Sequence, residues 1–543
     1  MVFSIFVAKL NPFFVRCRRF ALALAYAGTV AAFLWVCSHF YLPGKAFTYL
    51  VEFGAKQESR YIPELRAIDH YDLPDTYGYD GQYYAQIAMR PHLGDPVLHR
   101  AIDNLPYRAR RILFCWTATA LAGGDPARAL DIFAVQNIVM WLVLAGLLLR
   151  WFPPVSWGNW ARWAGVLASF GLCVSVRASL MDGPSLALLA GGMALLEGGR
   201  PWLAAAVLGV SGLGKETNVL AAVAFVPEDR TRRRWLRVLA RWSLVLLPLA
   251  AWLAVLTWRF GRAGETGVRN FAPPFTGYLR QCGAVARLVA QGPAPLARGS
   301  LVIQVALTAQ WLFFALRPRW SEAWWRVGAA TAALMVVLGD AVWEGYPSAI
   351  ARVALPMTLA FNILVPRGRG WWVVLLLGNL SVLASPKLLL PPGRESFRCE
   401  APAELRPISG RGPAVDAAFN AAWYPPERSW LEYWRWTAGN ATVAFRNPQP
   451  YALSADLAFG LHAGDRRSVA VRDAAGVLWQ GQLEPGVVRR VELANVRLEP
   501  GDTTWRFTTD VPPVTTSGEL ARKLAFSLRN LDIKVTGRAG PRP

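Results

Sequence analysis

Long apolar runs, separated by short polar or arginine-rich segments, dominate the chain from residue 20 to about residue 388. A bilayer core about 30 Å thick needs roughly 20 apolar residues in one helix. The runs are Phe20–Leu42, Ile132–Leu149, Trp163–Val176, Gly183–Leu196, Pro201–Gly214, Asn218–Pro227, Trp242–Trp258, Gly299–Leu316, Val327–Gly339, Val353–Pro366 and Gly370–Pro386. The pattern predicts an α-helical polytopic membrane protein with about eleven transmembrane helices. Several runs are short, which is typical of helices that line a polar cavity.

Arginine clusters in the short loops predict the orientation of these helices, because cytoplasmic loops carry an excess of Lys and Arg. The clusters are Arg16–Arg19, Arg230–Arg237, Arg317–Arg326 and Arg367–Arg369. They predict a cytoplasmic N-terminus over residues 1–19 and extracytoplasmic positions for loop 43–111, loop 259–298 and everything after Pro386. We therefore expect a multi-pass protein of a bacterial inner (plasma) membrane.

The pattern changes after about residue 389 to short segments of period-two alternation, separated by Pro and Gly. Such spacing is typical of strands in an antiparallel β-sandwich. The predicted strands are Ala441–Phe445, Leu453–Phe459, Val469–Arg472, Val491–Leu493, Trp505–Thr508 and Ile533–Val535. Residues 389–543 are therefore predicted to form a periplasmic β-sandwich domain.

Composition adds a strong positive charge to this picture, with a formal net charge of +22 over 543 residues, of which 54% are apolar. Basic proteins often bind nucleic acid, but they then carry a basic stripe or an aromatic-studded sheet. Here the arginines lie in short groups between apolar runs. We expect them to contact membrane lipids and to set topology, and we expect no nucleic-acid partner.

The loop over residues 43–111 holds a dense group of acidic and aromatic residues. Four carboxylates (Asp69, Asp72, Asp75 and Asp80) and five tyrosines lie between residues 69 and 88. One interpretation is an ordinary solvated loop. The compact, glycine-containing pattern favours the alternative of a functional loop.

Part of this loop resembles a known family. The segment Tyr79-Asp80-Gly81-Gln82-Tyr83-Tyr84-x-x-Ile87-Ala88 is similar to the "W-D-G-x-W-Y-x-x-I-A" signature of the second GPI mannosyltransferase family and its bacterial relatives, within the GT-C superfamily. The stretch from Asp103 to Leu113 also resembles the "N-P-x-Y-R-x-x-R-I-L" stretch of the bacterial relatives. Tyr79 replaces the Trp, and Leu105 separates Asn104 from Pro106.

The resemblance implies transfer of a sugar from a polyprenyl-phosphate donor to a hydroxyl of a glycan, lipid or protein acceptor, with inversion at the anomeric carbon. An acceptor hydroxyl needs a base, and Asp80 matches the acid of the family motif. The alternative role for Asp80 is a cap of the following helix. The other expected substrate-binding residues are Asp69, Asp72, Asp75, Gln82, Tyr83 and Tyr84.

The leaving group in such a reaction is a lipid phosphate, which needs positively charged donors. Arg108, Arg111, Lys215 and Arg352 are the predicted phosphate-binding residues, with Arg110 as a further candidate. Lys215 and Glu216 interrupt an apolar stretch, and ionisable residues inside a membrane usually serve a function. The alternative is a Lys215 side chain that pairs with Glu216 and extends toward the membrane surface.

Metal and cofactor chemistry is not indicated. The six cysteines have no CxxC spacing, although the acidic loop residues include oxygen ligands that suit a divalent cation. We expect no cofactor and no metal. Two other function classes stay open: a transporter or flippase of lipid-linked or soluble sugar, and a non-catalytic membrane protein that binds envelope glycan.

Overall fold

The computed structural model describes residues 2–42, 44–73, 76–226, 231–261, 270–290, 295–343, 349–390, 397–405, 414–428, 433–515 and 522–540. The chain divides into two compact units. The first contains residues 1–38 and 47–389, and the second contains residues 39–46 and 390–543.

The first unit is helical. Its α-helices are α1 Val2–Ser38, α2 Pro63–Arg66, α3 Gly81–Met89, α4 Pro96–Ala101, α5 Leu105–Arg108, α6 Leu113–Leu121, α7 Pro126–Leu148, α8 Trp157–Leu167, α9 Phe170–Arg177, α10 Asp182–Glu197, α11 Pro201–Gly212, α12 Arg232–Phe260, α13 Thr276–Ala290, α14 Pro295–Leu316, α15 Ala323–Val336, α16 Asp340–Trp343, α17 Ala349–Val353, α18 Leu355–Leu364 and α19 Trp372–Gly378. Longer 3₁₀ segments cover Ala55–Arg60, Glu216–Phe225 and Leu380–Lys387. Two short strands, β1 Phe53–Gly54 and β2 Asp72–Leu73, pair in parallel.

Within the described residues, four helical stretches are long and apolar enough to cross a membrane: Arg18–Ser38, Pro126–Leu148, Trp235–Phe260 and Arg298–Leu316. This agrees with a membrane protein, whereas eleven transmembrane helices are not confirmed. Most of the remaining apolar runs form shorter elements. The run Trp163–Val176 is divided between α8 and α9, where Ser169 adopts an extended backbone. The 16 residues of α10 rise only about 24 Å, less than the bilayer core.

The second unit is rich in β-structure. Its strands are β3 Arg398–Glu400, β4 Asp416–Phe419, β5 Glu427–Arg428, β6 Tyr433–Trp436, β7 Ala441–Asn447, β8 Leu453–Ala463, β9 Arg467–Arg472, β10 Val477–Leu483, β11 Val488–Leu498, β12 Gly501–Thr509, β13 Val514–Thr515, β14 Lys523–Leu524 and β15 Phe526–Arg538. One sheet has the order β10-β9-β12-β7-β4, and another has the order β11-β8-β15-β6-β5, with β3 beside β15. All pairs in both sheets are antiparallel except β3 with β15.

The two larger sheets contribute to one apolar core. Phe459 of β8 lies 6.4 Å from Trp505 of β12, measured between ring centroids, and Trp423 contacts Phe507 and Phe526 from the two sheets. Every strand segment predicted from alternation lies inside an observed strand, because alternate residues of these strands are buried in this core. The prediction of antiparallel sheets is confirmed.

Candidate functional site

The loop that contains Asp80 is packed closely against neighbouring backbone. A side-chain carbon added at Gly81 would lie 2.7 Å from the carbonyl oxygen of Val51 and closer still to that of Ala178. Gly78 has a positive φ of 72°, and its added carbon would lie 2.5 Å from the carbonyl oxygen of Glu52. These positions favour glycine, since other residues would clash with backbone atoms or adopt strained dihedral angles. The loop therefore has little freedom to move away from residues 51–52 and 178.

Asp80 directly precedes α3 but makes no side-chain capping hydrogen bond. The alternative interpretation of Asp80 as a helix cap is therefore wrong. Its Oδ1 instead lies 3.0 Å from Nη2 of Arg108, and the side chain remains 27% exposed. Asp80 is thus paired with a cation and still accessible from outside the protein.

The charge state of Asp80 follows from its surroundings. Burial by itself raises the pKa of the Asp80 carboxyl. The positive charges of Arg108 and Arg352, with a smaller contribution from Arg111, outweigh burial and hold that pKa below its usual value. Asp80 is therefore ionised at neutral pH.

Arg108 lies at the centre of an aromatic and acidic group. It donates from Nε and Nη2 to the two carboxylate oxygens of Asp103, at 3.0 and 2.7 Å. Its guanidinium also lies 5.0 Å from the ring centroid of Tyr83. Such a bidentate pair holds the guanidinium plane in one orientation. Asp103 therefore positions the arginine that contacts Asp80.

Arg111 connects this loop with the segment around residue 216. Its Nε lies 2.8 Å from Oε2 of Glu216, and its Nη1 donates to the hydroxyl of Tyr84 at 3.1 Å. Burial raises the pKa of Tyr84 to about 12, so the phenol stays protonated at neutral pH. The two contacts hold Arg111 between α3 and the 3₁₀ segment Glu216–Phe225.

Lys215 and Arg352 share one buried carboxylate. Nζ of Lys215 lies 2.6 Å from Oδ1 of Asp182, and Nη1 of Arg352 lies 3.1 Å from Oδ2 of the same residue. Nη2 of Arg352 donates to the hydroxyl of Tyr79 at 2.8 Å. The side chains of Lys215, Arg352 and Asp182 are 3–8% exposed. The alternative pairing of Lys215 with Glu216 is wrong, because each of the two has a different ion-pair partner.

The four predicted phosphate-binding cations thus lie in one connected cluster beside Asp80. Three of them act electrostatically on Asp80, and the fourth, Lys215, joins through Asp182. Nε of Arg352 is buried and has no hydrogen-bond partner among the described residues. A buried, unpaired N–H of an arginine is costly unless an acceptor binds there.

The predicted substrate-binding residues occupy different environments. Gln82 is 1% exposed, and its amide bridges Tyr77 and Gly54 of the same loop. Tyr84 is 1% exposed behind Arg111, whereas Tyr83 is half-buried under Arg108. In the structure, Gln82 and Tyr84 therefore contribute to the packing of the loop, and Tyr83 is the most accessible of the three.

The other acids of the loop lie apart from the cations. Asp72 lies on β2, where it contacts His70 at 3.3 Å and accepts a hydrogen bond from Tyr61. Asp69 is half-buried in the same loop. In the described structure neither contacts any of the four cations. Asp75 lies outside the described residues.

Glu52 and Arg177 form a further ion pair that the sequence did not predict. Oε1 of Glu52 lies 3.1 Å from Nη1 of Arg177, whose guanidinium lies 3.8 Å from the ring centroid of Tyr49. Glu52 has a positive φ of 59°, and burial raises the pKa of its carboxyl despite Arg177 and Arg352. The one available signal was its position as a lone acid within the apolar segment 49–53.

The described part of the chain contains no group of three or more His, Cys, Asp or Glu side chains that could hold a metal ion.

Comparison with protein-family models and with curated proteins gives no match in either case. The resemblance to the GT-C family therefore stays a prediction, which depends on residues 79–88 and 103–113.

Proposed function

We propose that this chain is a membrane glycosyltransferase with a GT-C-like helical unit. It transfers a sugar from a polyprenyl-phosphate donor to an acceptor hydroxyl on the extracytoplasmic side of a bacterial inner membrane. One observation carries the proposal. Residues separated by up to 272 positions along the chain, Asp80 and the four predicted cations, meet in one connected cluster.

Asp80 is the proposed general base. The acceptor hydroxyl donates to its carboxylate, and a bond forms between the acceptor oxygen and the anomeric carbon of the donor sugar. The hydroxyl proton passes to Asp80 as the bond forms. The ion pair with Arg108 keeps Asp80 ionised, and its partial exposure gives the acceptor access.

The cations are proposed to stabilise the leaving group. The bond between the anomeric carbon and the phosphate oxygen breaks, and its electron pair stays on the polyprenyl phosphate, which gains one negative charge. Arg111, Lys215 and Arg352 are held by the carboxylates Asp182 and Glu216, and Arg108 is held by Asp80 and Asp103. The cluster thus holds four cations and four carboxylates, so the proposed stabilisation comes from N–H groups directed at the phosphate and not from a net positive charge. Attack opposite the phosphate inverts the anomeric centre.

Preorganisation supports this assignment. Asp182 holds Lys215 and Arg352 in fixed positions before any donor binds, and Glu216 does the same for Arg111. Donors that are fixed before the reaction need no reorganisation as charge develops on the leaving oxygen. The unpaired Nε of Arg352 is a free donor for a phosphate oxygen.

The donor class is tested with the purified full-length chain in nanodiscs. Sugars linked to undecaprenyl phosphate and the same sugars linked to nucleotides are offered separately, with a mixture of envelope glycans and lipids as acceptors. The proposal expects a labelled product from the lipid-linked sugars alone. Transfer from nucleotide sugars, with none from the lipid-linked sugars, would contradict it.

A transporter is the second candidate, because polar atoms lie deep within the helical unit. Gln136 Nε2, Asn137 Nδ2, Ser179 Oγ and Ser185 Oγ are buried without a hydrogen-bond partner among the described residues. Such atoms are usually satisfied by water or by a polar ligand. Movement of lipid-linked sugar across proteoliposomes, without any transferred product, would favour this candidate over the enzyme.

A further inference from the structure

A cavity of about 510 Å³ lies between helix ends that the arginine pattern predicts to be cytoplasmic. Its walls come from the C-terminal end of α10, the N-terminal end of α15 and the segment after α18. Apolar lining is supplied by Ala323 and residues 363–365, and four charged side chains stand around it: Glu197, Arg319, Glu322 and Arg367. The volume is within the range of small-ligand sites.

Trp324 lines the cavity, and Trp151 packs against it. The rings of Trp151 and Trp324 meet edge to face, with centroids 5.2 Å apart. Both indole N–H groups donate to the carboxylate of Glu197, at 3.0 and 2.8 Å. Two residues before Arg319 in the sequence, the guanidinium of Arg317 lies 4.9 Å from the ring centroid of Trp371. Tryptophan and arginine side chains in this combination are typical of a membrane–water interface.

The charges around the cavity do not balance. Glu197 pairs with Arg150 at 3.1 Å, and Glu322 pairs with Arg319 at 3.3 Å. Arg367 has no carboxylate partner among the described residues, and its Nη2 donates to the carbonyl oxygen of Trp151 at 3.3 Å. Arg367 also lies close enough to the buried Arg162 for the two like charges to repel each other. The four charged side chains that line the cavity sum to zero, but Glu197 is also paired with Arg150 outside the lining. Counted with Arg150, the group holds one more positive charge than negative, and Arg367 is the lining arginine without a carboxylate partner among the described residues.

We propose that this cavity binds the phosphate head group of an anionic glycerophospholipid, with Arg367 and Arg319 as the residues that contact the phosphate. A guanidinium is suited to phosphate because its N–H groups match two phosphate oxygens. Basic cavities between transmembrane helices on the cytoplasmic side bind anionic head groups by this chemistry. The apolar residues 363–365 then contact the glycerol backbone and the first methylene groups.

A lipid is favoured over a soluble phosphate for two reasons. The aromatic side chains mark the level of the membrane interface, where lipid head groups are concentrated. The cavity also combines arginines with apolar lining, which a free phosphate ion would not contact. The proposal does not depend on glycosyl transfer, since no residue of the Asp80 cluster lines the cavity.

The test is native mass spectrometry of the purified full-length chain with equal concentrations of phosphatidylglycerol and phosphatidylcholine. Both lipids carry the phosphodiester, but the quaternary ammonium of phosphatidylcholine adds a positive charge that Arg367 and Arg319 repel, so we expect about tenfold preference for phosphatidylglycerol. The double variant Arg319→Gln/Arg367→Gln is expected to lose this preference. The control Arg200→Gln/Arg369→Gln removes the same charge from exposed arginines outside the cavity and is expected to keep it.

Two further experiments test the proposal even if the double variant does not fold. Ala323→Leu fills the cavity without a change of charge and is expected to weaken phosphatidylglycerol binding. Glycerol 3-phosphate, added in excess to the wild-type chain, is expected not to displace the lipid. Equal binding of the two lipids, equal loss in the control variant, or displacement by glycerol 3-phosphate would each overturn the proposal.

Discussion

The close packing around Gly81 makes a strong prediction for the variant Gly81→Ala. The added methyl group would lie 2.7 Å from the carbonyl oxygen of Val51 and still nearer to that of Ala178. Both obstacles are backbone atoms, which have no alternative rotamer, so the loop has to shift by several tenths of an ångström to about 1 Å. Overpacking of this kind costs about 1–3 kcal/mol.

The shift would act on the site directly, because Gly81 follows Asp80. A displacement of about 1 Å lowers the rate of a positioned reaction about 100-fold. We expect Gly81→Ala to lower both the melting temperature, measured by intrinsic tryptophan fluorescence, and the rate of sugar transfer.

The matched control is Gly146→Ala, in the last turn of α7, where nothing lies within 4 Å of the added carbon. This change is expected to leave the chain as stable as before or to stabilise it by up to about 1 kcal/mol. Wild-type stability in Gly81→Ala, or an equal loss in Gly146→Ala, would refute the packing described for the loop.

Two further predictions concern the ion pairs. Asp182→Asn leaves Lys215 and Arg352 buried without their carboxylate, and breaking such a buried pair costs about 3–5 kcal/mol. The melting temperature of this variant should therefore fall clearly. The control Asp502→Asn, at an exposed ion pair, should leave the melting temperature unchanged. Arg108→Gln removes the cation that contributes most to the lowered pKa of Asp80. Because that pKa is lowered in the folded chain, the stability from this pair is present at neutral pH and is lost as the pH falls through the folded-state pKa of Asp80. Denaturant titrations from neutral to acidic pH should therefore show a smaller acid-dependent loss in Arg108→Gln than in the wild type, and an identical pH dependence would contradict the pairing.

The sequence predicted the β-rich unit well and the helical unit less completely. Strands such as β8 bury alternate side chains in one core, so the period of two is visible in the residues themselves. The helical unit has no such direct signal. Apolar residues occur both in helices that face lipid and in shorter helices that pack inside the unit, which is why the count of eleven spans is not confirmed.

The candidate site was predicted in its parts but not in its connections. The motif identified Asp80, and the intramembrane charge identified Lys215. Asp182 is a candidate from the sequence either for the same cavity or for a helix cap, but its ion pairs could not be predicted, because it meets Lys215 and Arg352 only through the packing of α10 against other helices. The same holds for Glu52, whose partner Arg177 lies 125 positions away.

Asp80→Asn tests the central claim most directly, because it keeps the size of the side chain and removes the proposed base. The measurement is single-turnover transfer of sugar from an undecaprenyl-phosphate donor, with Glu58→Gln, an exposed acid of the same loop, as control. Loss of a general base lowers a rate by about 10²–10⁴-fold. We expect such a loss in Asp80→Asn, with unchanged donor binding and wild-type transfer by Glu58→Gln. Wild-type transfer by Asp80→Asn would contradict the account.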